Sequence, residues 1–322
     1  MTAVSIIIPA WNESKTLRAT LDAVRRVDYD KESCEVIVVA GGEDNTYGVA
    51  RDMWGNMTAF QRYVTIIQAG KGTKNAPVQQ GLREAQGTIV VLLDADVLVH
   101  ENWLKSMVDP IELGVCDITI ANSEPVRKNW ISDFFMINKA FHLDSIVTYP
   151  GHSMAFKASI VDNRMSYFFD ETIWMLDDYV FQKRMAAEGY RTMFIKEPNV
   201  KAHFPSSLKY FWTLQIRWMT ASIVMEGIKC KPLTQSIVVV TALITLLPVS
   251  RTLFVLSLLF NILYVAKKVG MFARASRLYA TKVERVFGFV FLSYLRHIIF
   301  LVCHIRYFLG LWEDSYYQGE RY

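Results

Sequence analysis

Asp94, Ala95 and Asp96 directly follow an apolar run, Ile89–Leu93, in a chain of 322 residues. Two carboxylates one residue apart at a strand end can share a hard divalent cation, one directly and the other through water or a ribose hydroxyl. Mg²⁺ and Mn²⁺ prefer oxygen donors and often complete their shell with substrate phosphates. Alone, the triplet reads equally well as a solvated strand end. Other chemistry-bearing segments accompany it. Pro9-Ala10-Trp11-Asn12-Glu13 closes the first apolar run, Gly41-Gly42-Glu43-Asp44 follows the second, and Gly70-Lys71-Gly72-Thr73-Lys74-Asn75-Ala76 precedes a segment of helical period. Trp174-Met175-Leu176-Asp177-Asp178 opens another helix, and His203 and Gln215-Ile216-Arg217-Trp218 come later.

These segments need a frame to bring them together. Residues 4–8 read as a strand stopped by Pro9. Ser14 is placed to cap a helix whose apolar residues Leu17, Leu21 and Val24 recur at i, i+4 and i+7. Residues 36–39 and 64–67 read as two further strands. A helix with Val78, Leu82 and Ala85 on one face comes next, then Ile89–Leu93, apolar throughout and so expected to be covered on both faces. Strand and helix alternating at this spacing predict an α/β fold, a mostly parallel sheet flanked by helices. Ligands of such sheets sit beyond the carboxyl ends of the strands, which is where the segments fall.

The ordered set resembles the family 2 glycosyltransferases, over about the first 220 residues. The resemblance implies the GT-A fold of nucleotide-diphospho-sugar transferases and an inverting enzyme that uses Mn²⁺ or Mg²⁺. It matches Pro9, Ala10 and Glu13 to the family's first nucleotide-contact segment, with Gly41 and Lys71 on the same donor side. Asp94 and Asp96, flanking Ala95, match the family's Asp-x-Asp, in which the second acid usually binds the metal and the first sits by the ribose. Asp178 matches the family's general base, with Asp177 where Glu is common. His203 matches a position that approaches the metal in some members. Asp177, Gln215, Arg217 and Trp218 fall on the acceptor and product side, and residues 124–149 are the expected acceptor region. Two departures stand out. Ala40-Gly41 replace an acid pair, and Leu214 stands where a Gln-x-x-Arg-Trp motif needs Gln, which argues against processive polymer synthesis.

The chemistry of the residues agrees with the resemblance. Breaking the bond between the anomeric carbon and a diphosphate leaves a multiply charged group that a metal on Asp96 would stabilise as a Lewis acid. Lys71 or Lys74 can assist, or can be solvated lysines of a glycine-rich loop. Inversion needs a base on the far face of the sugar, and Asp178 at a helix N-terminus meets the positive end of the macrodipole, which favours the ionised form. Asp177 and Asp178 also suit an ordinary helix start, His203 an ordinary surface or core histidine, and Arg217 and Trp218 a membrane-interface anchor.

Composition sets the boundaries of the reading. Hydrophobic residues at 52% and aromatics at 13% exclude a disordered chain, and a net charge of +4 implies no nucleic-acid partner. Four scattered cysteines exclude a zinc ribbon or disulfide framework and suit a reducing compartment. Residues 1–10 lack the basic start and long apolar core of a signal peptide. The expected organisation is a catalytic domain over 1–206, an amphipathic interfacial helix or linker over 207–232 and a membrane region over 233–322. That region is expected to hold transmembrane helices at about 233–250 and 252–268 and a third apolar stretch at about 286–305. Arg296, His297 and His304 make this third stretch an interfacial or protein-packed helix by expectation. Basic residues outside the first pair predict a multi-pass hairpin with both ends, and the catalytic domain, on the cytoplasmic side.

The expected activity is transfer of a sugar, UDP-linked by expectation, to a hydroxyl of a lipid-linked or membrane-proximal glycan acceptor. The alternatives are a polyprenyl-phosphate sugar synthase, whose ionised acceptor needs no base, and a non-catalytic membrane scaffold of the same fold.

Overall fold

The computed structural model describes residues 3–68, 70–140, 151–173, 176–226, 230–244, 251–279 and 283–309. Trp174, Met175, residues 245–250 of the first expected span and residues 141–149 of the expected acceptor region lie outside the described residues. The chain divides into two compact units, 1–126 with 145–203, and 127–144 with 204–322.

The first unit carries a seven-stranded sheet of order β3-β2-β1-β4-β6-β5-β7. Its strands are β1 (Val4–Trp11), β2 (Cys34–Gly41), β3 (Arg62–Ile67), β4 (Ile89–Leu93), β5 (Ile118–Pro125), β6 (Ser153–Lys157) and β7 (Thr192–Ala202). β1 pairs in parallel with β2 and β4, β2 with β3, and β5 with β7, whereas β6 runs antiparallel between β4 and β5. The helices are α1 (Leu17–Arg25), α2 (Thr46–Asp52), α3 (Asn75–Glu84), α4 (Trp103–Glu112), α6 (Met165–Phe168) and α7 (Asp177–Ala187), with α5 (Trp130–Ala140) in the second unit.

The five residues of β4 are all buried, as their unbroken apolar run predicts. Pro9 does not end β1, which continues to Trp11. The β4 pairing stops at Ile7, so β1 is paired on one side only where the proline lacks its N–H. Leu17, Leu21 and Val24 are buried as their period requires. Ser14 does not cap α1; Thr16 occupies that position, and the Ser14 N–H donates to Asp44 Oδ2 at 3.0 Å. α3 lies so close on β1 that a Cβ at Gly81 would meet Ile7 Cγ2 at 2.4 Å, so the contact requires glycine.

A buried polar network ties the far end of the sheet. Glu35, fully buried, accepts from the Ser5 hydroxyl (2.5 Å), the Gln86 N–H (2.6 Å) and Arg62 Nε (2.7 Å), and Arg62 also reaches Glu84 at 2.6 Å. A carboxylate removed from water is tolerable there because its lone pairs are met by donors and its charge by a guanidinium.

The second unit is helical: α5 with α8 (Leu208–Glu226), α9 (Cys230–Ile244), α10 (Arg251–Tyr279) and α11 (Val286–Phe308). Its core joins Phe134 and Ile137 of α5 to Phe211 of α8, Phe272 of α10 and Phe289 of α11, with Arg285 salt-bridged to the buried Asp133 at 2.6 Å. Among the described residues two segments of its helices are long and apolar enough to cross a membrane, Phe254–Ala275 (mean hydropathy 1.5) and Val286–Phe308 (mean hydropathy 2.0). α10 thus runs on past Lys268, where a span was expected to stop. The stretch expected to be interfacial is the more apolar of the two. Its cations are diluted among Phe, Leu, Ile and Val, and a helix can carry Arg296 without losing its apolar average. Leu256, Ile262 and Leu263 of α10 are 59%, 55% and 70% exposed.

Candidate active site

The strand order reverses between β1 and β4: β2 and β3 continue on one side of β1, and β6 and β5 on the other side of β4. A crevice opens at the carboxyl ends of strands at such a reversal. Pro9 from the end of β1 and Asp94 from the end of β4 line it, joined by Lys74, Gly151, Asp177 and Asp178.

The loop after β4 is fastened from three sides. The Asp94 N–H donates to the His152 carbonyl at 3.0 Å, and the Ala95 carbonyl, buried between the two aspartates, accepts from the Thr20 hydroxyl of α1 at 2.8 Å. Leu98 exchanges paired backbone hydrogen bonds of 2.8 Å with Lys201, which draws the end of β7 toward this loop. His203, just beyond β7, is exposed and contributes to the electrostatic surroundings of Asp96. A buried hydroxyl-to-carbonyl bond is worth about 1 kcal/mol net, so the Thr20 contact fixes the loop rather than dominating its stability.

α7 brings the other two acids. Leu176 precedes it in the left-handed region (φ 57°), a conformation that costs a branched side chain about 1–3 kcal/mol and is found where the surroundings enforce it. On the sheet side, Asn75 Nδ2 donates to the Asp170 carbonyl (2.8 Å) and Gln79 Nε2 to the Phe169 carbonyl (2.7 Å), so α3 holds the segment that leads to α7. Asp178 Oδ2 accepts the Gly151 N–H at 2.8 Å and Oδ1 the Tyr179 N–H at 2.9 Å. A Cβ at Gly151 would stand 2.6 Å from Asp178 Cβ, so only glycine admits this approach.

Lys74 completes the cluster. Its ammonium stands 2.5 Å from Asp94 Oδ1 and 3.9 Å from Asp177 Oδ2, and these acids hold its pKa well above the ordinary lysine value against the effect of burial. Burial pushes Asp94 up to about 7, with the Asp96 charge adding to the rise and Lys74 opposing it. Asp96 is also raised by burial, with His203 and Lys74 pulling it back. Burial likewise raises Asp178, the Asp177 charge adds to it, and the Gly151 N–H counteracts it. At Asp178 burial therefore outweighs the helix-end field that was expected to favour ionisation.

The other expected donor-side residues are arranged as follows. Pro9 lines the crevice, and Ala10 is buried. Glu13 is buried too; its carboxylate accepts the Thr16 hydroxyl (2.7 Å) and its N–H donates to Thr46 Oγ1 (2.7 Å), which makes it a tie between the β1 and β2 loops. Gly41 lies against the Trp11 ring, where a Cβ would be 2.9 Å from the ring. Lys71 is exposed, and Lys74 is the lysine that stands among the acids. Gln215, Arg217 and Trp218 belong to α8 of the second unit. There Gln215 is buried, Arg217 Nε is buried with no hydrogen-bond partner, and Trp218 packs edge-on against Phe135. The Gly151 N–H that holds Asp178 carries no mark in the sequence, because the contact depends on where β6 falls in the sheet.

Among the described residues no three His, Cys, Asp or Glu side chains gather to hold an ion. Asp96 nevertheless offers the oxygen donor that Mn²⁺ or Mg²⁺ prefers when substrate phosphates supply the remaining ligands, and His203 stands within electrostatic reach of it.

A mixed, mostly parallel sheet with acids and a lysine at its switch point defines a GT-A fold with an acidic crevice. The chain belongs to glycosyl transferase family 2, whose family model matches residues 5–189; the model for glycosyl transferase family 21 matches residues 136–316. It is 32% identical to the glycosyltransferase AglE of Haloferax volcanii over 122 residues, 38% of this chain and 39% of that protein. It is 23% identical to the probable glycosyltransferase YdaM of Bacillus subtilis over 237 residues, 67% of this chain and 54% of YdaM. The chain thus spans about half or less of these relatives. Among solved structures, the mannosyltransferase PcManGT from Pyrobaculum calidifontis, in complex with GDP-Man and Mn²⁺, matches with a TM-score of 0.57. It shares 16% identity, with 94% of this chain and 86% of that chain covered, a likeness of fold.

Proposed function

We propose that this protein is a metal-dependent inverting glycosyltransferase that moves a sugar from a nucleotide-diphosphate donor to a hydroxyl of a lipid-linked or membrane-proximal glycan. The observation that carries the reading is the convergence of Asp94, Lys74, Asp177 and Asp178 on one crevice at the sheet's switch point. The manganese and GDP-mannose complex of the Pyrobaculum relative supports a metal and a nucleotide-sugar here.

In this reading Asp96 and His203 hold Mn²⁺ or Mg²⁺, which when bound supplies Lewis-acid stabilisation to the diphosphate. Asp94 lies beside the ribose and the phosphates. Lys74, already charged and poised against Asp94, meets the negative charge that gathers on the departing diphosphate. Asp178 takes the proton of the acceptor hydroxyl as the new bond forms at the anomeric carbon. Its raised pKa strengthens it as a base once ionised, and the Gly151 N–H keeps the carboxylate aimed. The segments Phe254–Ala275 and Val286–Phe308 attach the enzyme to the membrane as a multi-pass protein, with the catalytic unit on the cytoplasmic face.

The test is nucleotide release by full-length protein in membranes across a panel of UDP- and GDP-sugars, with and without Mn²⁺. Metal-dependent release that falls about 10² to 10⁴-fold in Asp178→Asn supports general base catalysis on a hydroxyl. Release untouched by Asp178→Asn would point to a phosphate acceptor instead. Absence of metal-dependent nucleotide binding would leave a scaffold.

A further inference from the structure

Two adjacent acids open α7, and the structure gives them different partners. Asp178 is committed to the backbone: its Oδ2 accepts the Gly151 N–H at 2.8 Å and its Oδ1 the Tyr179 N–H at 2.9 Å. Asp177 meets a side chain instead, with Oδ2 at 3.9 Å from the Lys74 ammonium. The Asp177 side chain is 25% exposed and that of Lys74 31%, and both line the crevice, so a ligand entering it can reach the pair.

Lys74 divides itself unequally between two acids. Its ammonium is 2.5 Å from Asp94 Oδ1, a charge-assisted hydrogen bond, whereas at 3.9 Å it is paired with Asp177 by charge alone. An ammonium on a flexible stem carries donors that rotate freely, so it can turn from one acid to the other while the backbone stays in place. That backbone is held on both sides. Lys74 directly precedes α3, and Asn75 and Gln79 of α3 donate to the Asp170 and Phe169 carbonyls, on the segment that leads to α7. The reach from Lys74 to Asp177 is therefore set by the fold.

In the proposed reaction Asp94 lies beside the ribose and the phosphates of the donor. A donor that engages Asp94 competes with the lysine for that carboxylate and brings a negatively charged diphosphate to the same place. Held by Asp94 alone, Lys74 would block the carboxylate that the donor needs. A second carboxylate within reach lets the ammonium release Asp94 and still remain in the crevice. Asp178 serves this poorly, because its two oxygens already accept backbone N–H groups. Asp177 is placed to do it.

We infer that Asp177 is a positioning residue for the donor: it retains Lys74 in the crevice while the donor occupies Asp94, so that the carboxylate is free for the donor and the ammonium is at hand for the diphosphate. The inference rests on the donor part of the proposed function and deepens it. It moves Asp177 from the acceptor side, where the sequence resemblance placed it, to the donor side, and it leaves the base role to Asp178.

The experiment titrates the full chain in nanodiscs with UDP and with GDP, each with Mn²⁺, by calorimetry. Asp177→Asn, which keeps the size and removes the charge, should weaken binding of the preferred nucleotide about tenfold, and Asp177→Glu should restore most of it. In a Lys74→Met background Asp177→Asn should cause no further loss, because the acid acts through the lysine. Should Asp177→Asn not fold, Asp177→Ser carries the same comparison. Unchanged binding in the charge-removing variant, or an equal loss in the Lys74→Met background, overturns the inference. A second measurement needs no nucleotide. A carboxylate beside an ammonium keeps it protonated and slow to acylate, so Asp177→Asn should speed acetylation of Lys74 by acetic anhydride about twofold or more relative to Lys71, read by mass spectrometry. Absence of nucleotide binding by the wild type would end the transferase proposal. The acetylation ratio would then decide the hold on Lys74 by itself, and a ratio unchanged in Asp177→Asn would refute it.

Discussion

The ammonium of Lys74 bridges Asp94 on the strand side and Asp177 on the helix side, at 2.5 Å and 3.9 Å. One cation therefore joins two acids from β4 and α7 that are 83 residues apart in the chain (177 − 94). Without it, Asp94, Asp177 and Asp178 would face one another with no basic side chain among the described residues that line the crevice.

Lys74→Met should therefore reduce kcat/KM for sugar transfer by about 10² to 10³-fold, the usual consequence of removing one preorganised group that meets developing negative charge. Lys71→Met should stay within about twofold, since Lys71 is exposed. Steady-state kinetics on the two variants distinguishes them. Equal losses would refute the assignment of Lys74.

Stability of the metal-free protein should decline as pH rises. Asp94 is raised to about 7 in the folded chain, against an ordinary value of 3.8, so the folded form keeps a proton that the unfolded form has lost. The stabilisation is fully present below the unfolded pKa and is lost as pH climbs through about 7. A melting temperature lower at pH 8 than at pH 5.5, with the difference reduced in Asp94→Asn, is the expected result. An unchanged difference in Asp94→Asn would assign the effect elsewhere.

Gly151→Ala should impair catalysis more than folding. The added Cβ would press on Asp178 Cβ from 2.6 Å and disturb the N–H bond that aims the carboxylate. Misplacing a reacting group by about 1 Å can cost on the order of 10²-fold, while overpacking costs about 1–3 kcal/mol. Gly72→Ala, whose Cβ would make an ordinary 3.6 Å contact with Ala76, is the matched control. Kinetics and thermal unfolding of the pair would show whether the approach is required.

Arg62→Met should destabilise the catalytic unit by about 3–5 kcal/mol, because it strands the fully buried Glu35 without its guanidinium. Adding Glu35→Gln to that variant should recover part of the loss, since the stranded charge is then gone. Unfolding followed by intrinsic fluorescence gives both values.

Activity should fall as pH drops through the raised pKa of Asp178, since only the carboxylate accepts a proton. In Asp178→Asn the residual activity should lose this acid limb. A profile of kcat against pH for the two proteins makes the comparison, and persistence of the limb in the variant would remove Asp178 from the base role.

The sequence alone determined the parallel half of the sheet. The unbroken apolar run of Ile89–Leu93 and the period of Leu17, Leu21 and Val24 leave few other ways to hide those side chains from water, so the loops bearing Pro9 and Asp94 had to meet at one edge. It also determined that Asp177 and Asp178 begin a helix, through the shift from loop residues to a run with Val180, Phe181 and Met185. Only the tertiary structure decided that β6 enters antiparallel between β4 and β5, and thereby carries the Gly151 N–H to Asp178. Cross-strand order depends on long-range pairing that no local period encodes. The same holds for Lys74 over Lys71, two lysines in one glycine-rich loop that composition cannot rank. Their difference arises from which one α3 turns toward the acids, where loss of water makes a single ion pair worth forming.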